Sequence, residues 1–240
     1  TVTQWSANVA QQLLARHGIV MRETALAENI PGGYPSIYPA LKTMEESGWM
    51  RRGMFVAGLG AAQFAMPAAV EMLRAQRMDP ATPETVSLAA ADPANPYGTI
   101  SPWPRLQGAE DAGGHGMSRT RGAEVILVNG WLAAFVRRQN PALRIFLPDS
   151  EPERTQIGHA LANQLAGLAV RWQGRRSGML IGEINEAPAR EHFLAQFLLE
   201  AGFRDSAQGF QMRRVVMVES LPIPAGEEDV DEDAGQTESA

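Results

Sequence analysis

The chain has 240 residues, 45% of them hydrophobic, and a formal net charge of −6 at pH 7, which suits two small folded domains. It contains no cysteine and only four scattered histidines, so disulfides and thiol nucleophiles are excluded and neither a metal site nor a cofactor is predicted. No apolar run reaches the roughly 18 residues that span a membrane, so no membrane association is expected.

The order of elements in residues 1–80 predicts a winged-helix domain. Val9, Leu13 and Leu14 have helical spacing, and Gly18 ends this first helix. A third helix is predicted to begin at Ser36, whose side chain can cap it. The other predicted elements are a short helix, two wing strands and a final helix, at residues 23–28, 49–56, 63–65 and 69–78.

Residues 81–118 are predicted to be a packed linker followed by a mobile loop. The first part is rich in proline and alanine, a composition that does not form one regular element. Its apolar side chains, Tyr97 and Trp103 among them, indicate that the linker packs against the rest of the protein.

Residues 119–218 are predicted to form a second module of strands and two helices. Two β-rich runs flank Asn129-Gly130, a dipeptide that favours a two-residue hairpin turn. Trp131 and Trp172 are expected to be buried by packing rather than to stack on bases. The remaining predicted elements are three strands and two helices, at residues 144–147, 178–184, 210–213, 155–170 and 191–201.

An acidic tail is predicted at residues 219–240. Seven of the 27 acidic residues lie after Ala225, so the rest of the chain has 20 acids against 21 Lys and Arg, a balance of +1. The tail has too little apolar surface to fold and is expected to be disordered.

No nucleotide-binding phosphate loop is present. The loop motif requires a lysine after glycine, but the only lysine is Lys42, which follows Leu41. The chain therefore contains no ATPase motor.

Several sequence strings resemble the C-terminal region of the Lhr-type (large helicase-related) superfamily 2 DNA helicases. The resemblance covers about residues 10–214. Its most specific parts are the strings over residues 58–65 and 91–98. The other strings cover residues 13–20, 32–39 and 51–57, the pair Trp103-Pro104 and the hairpin around Asn129-Gly130.

The resemblance implies an α+β fold, a winged helix followed by a mixed β-barrel-like module with flanking helices. It also implies a non-motor accessory role in an ATP-dependent 3′-to-5′ DNA repair helicase. The expected partners are single-stranded or forked DNA, the upstream winged helices and motor of the same protein, and further copies in a homo-oligomer. The expected location is cytoplasmic and nucleoid-associated.

Six residues are the candidates for DNA contact. The third helix offers Tyr34, Ser36, Tyr38 and Lys42, and the wing offers Arg51 and Arg52. Hydroxyl and cationic groups suit phosphates, and aromatic rings can stack on unpaired bases. The alternative is that the aromatic residues belong to the core and that the domain is an oligomerisation scaffold without DNA contact.

A monofunctional DNA glycosylase for uracil or alkylated bases is the alternative enzymatic function. The resemblance extends to winged-helix DNA glycosylases, whose motif places one polar residue on each side of a hydrophobic residue. Gln63-Phe64-Ala65 retains only the first of the pair. Asp205 or Asp229 is the alternative source of a catalytic carboxylate, because such enzymes stabilise an oxocarbenium-like sugar or activate water.

Overall fold

The computed structural model describes residues 1–60, 62–76, 80–106, 116–172 and 178–212. Most of the loop predicted at 108–118 and the whole acidic tail predicted at 219–240, with Asp229, lie outside these ranges.

The first part of the chain is a winged-helix domain, as predicted. Its strands form one antiparallel sheet in the order β1-β3-β2. Its elements, in chain order, are α1 Val2–His17, β1 Ile19–Val20, α2 Arg22–Ala27, α3 Gly33–Glu46, β2 Arg51–Gly53, β3 Gln63–Ala65 and α4 Pro67–Ala75.

Helix α3 begins three residues earlier than predicted. Gly32 is its N-cap, and the Gly33 N–H donates to the Ile30 carbonyl at 2.8 Å, so the chain is already in a turn when it reaches Gly33. The Ser36 hydroxyl is directed at the carbonyls of Gly33 and Pro31, at 2.7 and 2.9 Å. The prediction that Ser36 caps this helix was therefore wrong.

The core of the winged helix lies between the helices and the sheet. Leu14, Ile37, Leu41 and Phe64 are at most 1% exposed and belong to one cluster. Each side chain of this size contributes about 1.5–3 kcal/mol when it leaves water. This cluster fixes helix α3 against strand β3 and so sets the orientation of the wing.

The second part of the chain is a mixed α+β module. Its elements, in chain order, are β4 Thr85–Ala89, β5 Ala123–Val128, β6 Trp131–Arg137, β7 Ala142–Ile145, α5 Glu153–Arg171, β8 Met179–Ile181, β9 Glu183–Ile184, β10 Ala187–Pro188, a 3₁₀ turn at Ala189–Glu191, α6 Ala195–Glu200, β11 Arg204–Ser206 and β12 Gly209–Met212.

These strands form open sheets within the part of the chain that the structure describes. The larger sheet has six strands in the order β10-β9-β7-β6-β5-β4, with β7 and β9 parallel and the other pairs antiparallel. Strands β11, β12 and β8 form a separate antiparallel sheet. The closed, barrel-like arrangement is therefore not confirmed.

The β5–β6 hairpin confirms the turn predicted at Asn129-Gly130. Both residues have positive φ, 50° and 82°, as a type I′ turn requires, and Val128 pairs with Trp131 across it. Side chains then alternate between the two faces of the sheet. Ile126 and Ala134 join the core beneath α5, whereas Val125 and Phe135 pack against the proline-rich segment.

Two other predictions in this module need correction. Trp131 is 75% exposed, because it is the first residue after the turn and lies beyond the covered part of the sheet. The helix predicted at 191–201 is interrupted at His192, which is extended. There the imidazole Nδ1 accepts from the Leu194 N–H at 3.1 Å, in place of a helical backbone bond.

Candidate nucleic-acid interface

Helix α3 places Tyr34 and Tyr38 on the inner side of the winged helix. Their ring centroids are 5.7 Å apart, and Tyr38 packs edge-on against Phe64 at 5.9 Å. The Tyr34 hydroxyl donates to the Ala62 carbonyl at 2.7 Å, and burial raises the pKa of Tyr34 to about 12. Both tyrosines are half-buried and contribute to the core, while their roles in DNA contact remain predictions.

The candidate cations of α3 and of the wing are all exposed. Lys42 pairs with Glu46 at 3.7 Å, and the Arg52 guanidinium pairs with Glu45 at 3.2 Å. Arg51, at the start of β2, is exposed. Because exposed ion pairs are weak, these two pairs contribute little to the stability of the domain.

The Gln63 side chain holds the loop between the wing strands. It is fully buried, and its Oε1 accepts from the N–H groups of Phe55 and Val56, both at 2.8 Å. Its Nε2 donates to the carbonyls of Val56 and Gly60, at 2.8 and 3.2 Å. The carboxamide thus satisfies loop backbone groups, which gives it a structural role whether or not it also takes part in catalysis.

The Asp205 carboxylate lies on an exposed hairpin of the second module. Arg190 donates from Nε to its Oδ1 at 2.7 Å, and the same guanidinium bonds the Ser206 carbonyl. About half of the Asp205 side chain is exposed. Asp205 and Gln63 belong to different sheets, Asp205 to β11 of the second module and Gln63 to β3 of the winged helix.

An apolar cleft of about 740 Å³ opens beside the β5–β6 hairpin. Tyr97, Trp103, Trp131 and Phe146 supply its aromatic surfaces, and Arg105 and Glu153 are its charged residues. Tyr97 and Trp103 are stacked, with ring planes 19° apart and centroids at 6.4 Å. The Tyr97 hydroxyl accepts from the Leu132 N–H at 3.1 Å, which ties the stack to strand β6.

A second, more polar cleft of about 410 Å³ adjoins it. Burial, and to a lesser extent the Arg154 guanidinium, lower the pKa of His192. The Asn185 carboxamide exchanges two hydrogen bonds with the Ile145 backbone, both 2.8 Å long. The cleft's charged and titratable residues are Arg105, Asp149, Arg154, Glu186 and His192.

The proline-rich segment that carries Tyr97 and Trp103 is held in place by Asn95 and Arg119. Asn95 is fully buried; it donates to the Ala90 carbonyl at 2.8 Å and accepts from the Tyr97 N–H at 3.1 Å. The Arg119 guanidinium donates to four backbone carbonyls of the segment, at 2.7–3.3 Å. These contacts give the two rings a fixed position.

Gly98 allows Trp103 to approach this segment closely. A Cβ at Gly98 would lie 2.6 Å from the Trp103 indole nitrogen. The backbone φ of Gly98 is +78°. Any other residue would therefore displace the indole as well as strain the backbone. This contact accounts for the glycine in the sequence string over residues 91–98.

Comparison with known proteins identifies the family. The model for the winged-helix domain of the large helicase-related protein matches residues 1–85. A protein named "Lhr helicase/ probable uracil glycosylase" from Mycolicibacterium smegmatis is 36% identical over 215 residues, which are 85% of this chain and 14% of that protein. The winged-helix domain of this chain is of the Lhr type. The "Lhr helicase/uracil glycosylase" of Escherichia coli is 34% identical over 208 residues, 84% of this chain and 12% of that protein.

The resemblance to Lhr-type helicases is thus confirmed over most of this chain. The chain spans only about an eighth of the length of either relative. In the described part of this Lhr-type chain, no helix is long and apolar enough to cross a membrane. Within the same ranges, no three His, Asp or Glu residues are grouped as metal ligands.

Sequence reasoning missed the residues that build the clefts of this Lhr-type module. Arg119 lies 22–28 residues from the carbonyls that it bonds, and nothing in its local sequence distinguishes it from other arginines. His192 falls within the helix predicted at 191–201, but it is extended and half-buried and lines the polar cleft. The sequence signal for the clefts was the string over residues 91–98. Its Asn95 holds the segment by side-chain hydrogen bonds, and its Gly98 leaves room for Trp103.

Proposed function

We propose that this Lhr-type chain is a non-motor accessory module that binds DNA for a larger DNA repair helicase. The observation that carries the proposal is the Lhr-type winged helix at residues 1–85, together with relatives whose names include a helicase. The exposed Lys42, Arg51 and Arg52 would supply contacts to phosphate. Single-stranded or forked DNA is the expected partner, with the helicase motor in another part of the protein.

Removing both wing arginines tests this function. Arg51→Ala combined with Arg52→Ala should weaken DNA binding and lower the slope of log affinity against log salt by up to about 1.8 on duplex DNA, because each phosphate contact contributes about 0.9. Fluorescence anisotropy with a forked oligonucleotide at several salt concentrations measures the slope. Arg16→Ala with Arg74→Ala is the matched control, since it removes the same charge outside α3 and the wing.

A slope that falls equally in both double variants would indicate a general charge effect. A slope unchanged in the wing variant would leave the oligomerisation scaffold as the better account of this domain. Circular dichroism should be unchanged in both variants, because all four arginines are largely exposed.

Base excision is the second candidate function. The names of both relatives include the words uracil glycosylase. The polar cleft offers carboxylates and an imidazole, which are groups that serve as general acids and bases in hydrolysis of a glycosidic bond. Asp205→Asn is expected to abolish the release of uracil from a uracil-containing oligonucleotide if this carboxylate is catalytic. Full activity in that variant would exclude Asp205 and direct attention to the polar cleft.

Self-assembly is an alternative role for the exposed apolar surface of this module. The exposed Trp131, with Tyr97 and Trp103 in the adjoining cleft, offers an apolar surface that a second copy or upstream winged helices could cover. Light scattering at tens of micromolar should then report an oligomer, and Trp131→Ser should reduce it. A monomer under the same conditions would exclude self-assembly through this surface.

A further inference from the structure

The apolar and polar clefts of the second module adjoin each other, and we call the two together the groove. Both are lined by Arg105, Phe146, Leu147 and Pro148, so these four residues are the boundary at which one cleft passes into the other. Clefts of about 740 and 410 Å³ have the size of small-ligand sites. The groove therefore has an aromatic half and a polar half of suitable volume for a ligand with the same division.

The aromatic half suits a planar ring. Trp131 is 75% exposed at the mouth of the cleft, and the stacked pair of Tyr97 and Trp103 lines the same space. Trp103 also packs edge-on against Phe135 at 5.4 Å, which fixes its plane. A nucleobase has the flat, polarisable faces that such rings bind, and stacking tolerates any base.

The polar half contains two arginines near the shared boundary. Arg105 is exposed, and the Arg154 guanidinium lies 4.2 Å above the Phe193 ring centroid, so its position is fixed by the ring. Three acidic residues line the two clefts: Asp149 is exposed, Glu186 is paired with Arg144 at 3.1 Å, and Glu153 accepts from the Ser150 hydroxyl at 2.9 Å. Guanidinium groups are suited to phosphate because of their planar array of donors.

We propose that this groove binds one unpaired nucleotide of a DNA strand. The base lies in the aromatic half against Trp131 and Trp103, and the phosphate lies at Arg105 and Arg154. A base inside a duplex cannot present its faces to the rings, so the groove selects single-stranded or extruded nucleotides. This assignment rests on the proposed DNA-binding function and gives it a second site, apart from the wing.

The charges of the groove determine how this binding should respond to salt. Because acidic groups lie near both arginines, stacking contributes more to the affinity than phosphate contact does. Loss of Arg105 is expected to lower the salt slope by only about 0.7, the value for one phosphate of a single strand. Loss of Trp131 is expected to weaken affinity about 5- to 150-fold without changing the slope, the range that corresponds to one stacked base.

The test compares Trp131→Ala with the unaltered full chain on two probes. One is a single-stranded thymidine decamer, and the other is an abasic decamer with the same phosphates. The proposal predicts that Trp131→Ala weakens binding of the thymidine decamer and leaves the abasic decamer unchanged. Leu199→Ala, which removes another exposed apolar side chain of the module, is the matched control and should have no effect on either probe.

The outcomes separate the groove from the general DNA-binding function. If the wing double variant weakens binding but Trp131→Ala does not, the groove assignment is overturned and the accessory function stands. If the unaltered chain binds neither decamer nor duplex, both are overturned. A variant that changes the oligomeric state while retaining full affinity for the thymidine decamer would show that the groove holds a second copy of the chain, which also overturns the assignment.

Discussion

Replacing Gln63 with leucine is expected to lower the free energy of unfolding of the winged helix by about 3 kcal/mol. The carboxamide accepts from the Phe55 and Val56 N–H groups and donates to two carbonyls of the same loop. Leucine is close in volume but can form none of these bonds, and each buried polar group left without a partner costs about 1–3 kcal/mol. Urea denaturation followed by circular dichroism measures the change.

The Gln63 experiment also separates a structural role from a catalytic one. Gln12→Leu, an exposed change of the same type in α1, should alter stability by less than about 0.5 kcal/mol. If Gln63→Leu is as stable as this control but loses activity on damaged DNA, the structural account of Gln63 is wrong and the catalytic hypothesis gains support.

Replacing Arg119 with methionine is expected to destabilise the second module by about 3 kcal/mol. Its guanidinium donates to the carbonyls of Ala91, Asp92, Asn95 and Tyr97, and a hydrogen bond to a charged group contributes about 1.5–3 kcal/mol to stability. Methionine keeps the length of the side chain without the donors. The loss should appear as a lower urea midpoint and as altered fluorescence of the nearby Trp103.

Arg121→Met is the matched control for Arg119, because Arg121 is exposed and only two residues away. Equal stability of the two variants would contradict the role assigned to Arg119. If Arg119→Met reduces stability but leaves the affinity for single-stranded DNA unchanged, DNA binding does not depend on a fixed position of the proline-rich segment that carries Tyr97 and Trp103.

The elements that could be predicted from sequence are those with local signals. The periodic apolar residues of α1 identify a helix, and Asn129-Gly130 predicts its hairpin because both residues accept positive φ. The start of α3 was predicted less well. Ser36 is a favourable cap, but the turn before Gly33 begins the helix earlier.

The parts that could not be predicted depend on contacts distant in sequence. Strand β4 lies in the proline-rich segment and is a strand because Thr85 and its neighbours pair with β5, about 40 residues later. The exposure of Trp131 depends on where the sheet ends, which the pattern of residues in one strand does not indicate. The groove combines the proline-rich segment, the hairpin and the start of α5, and no local pattern joins these three.

Mapping of DNA contacts by cross-linking tests the central claim most directly. A single-stranded oligonucleotide containing 5-bromodeoxyuridine would be irradiated with the full chain, and the linked peptides identified by mass spectrometry. Cross-links to peptides containing Trp131 or Trp103 are expected, with further links to the wing around Arg51 and Arg52. Cross-links confined to other surfaces, or their absence at protein concentrations that saturate binding, would contradict that claim.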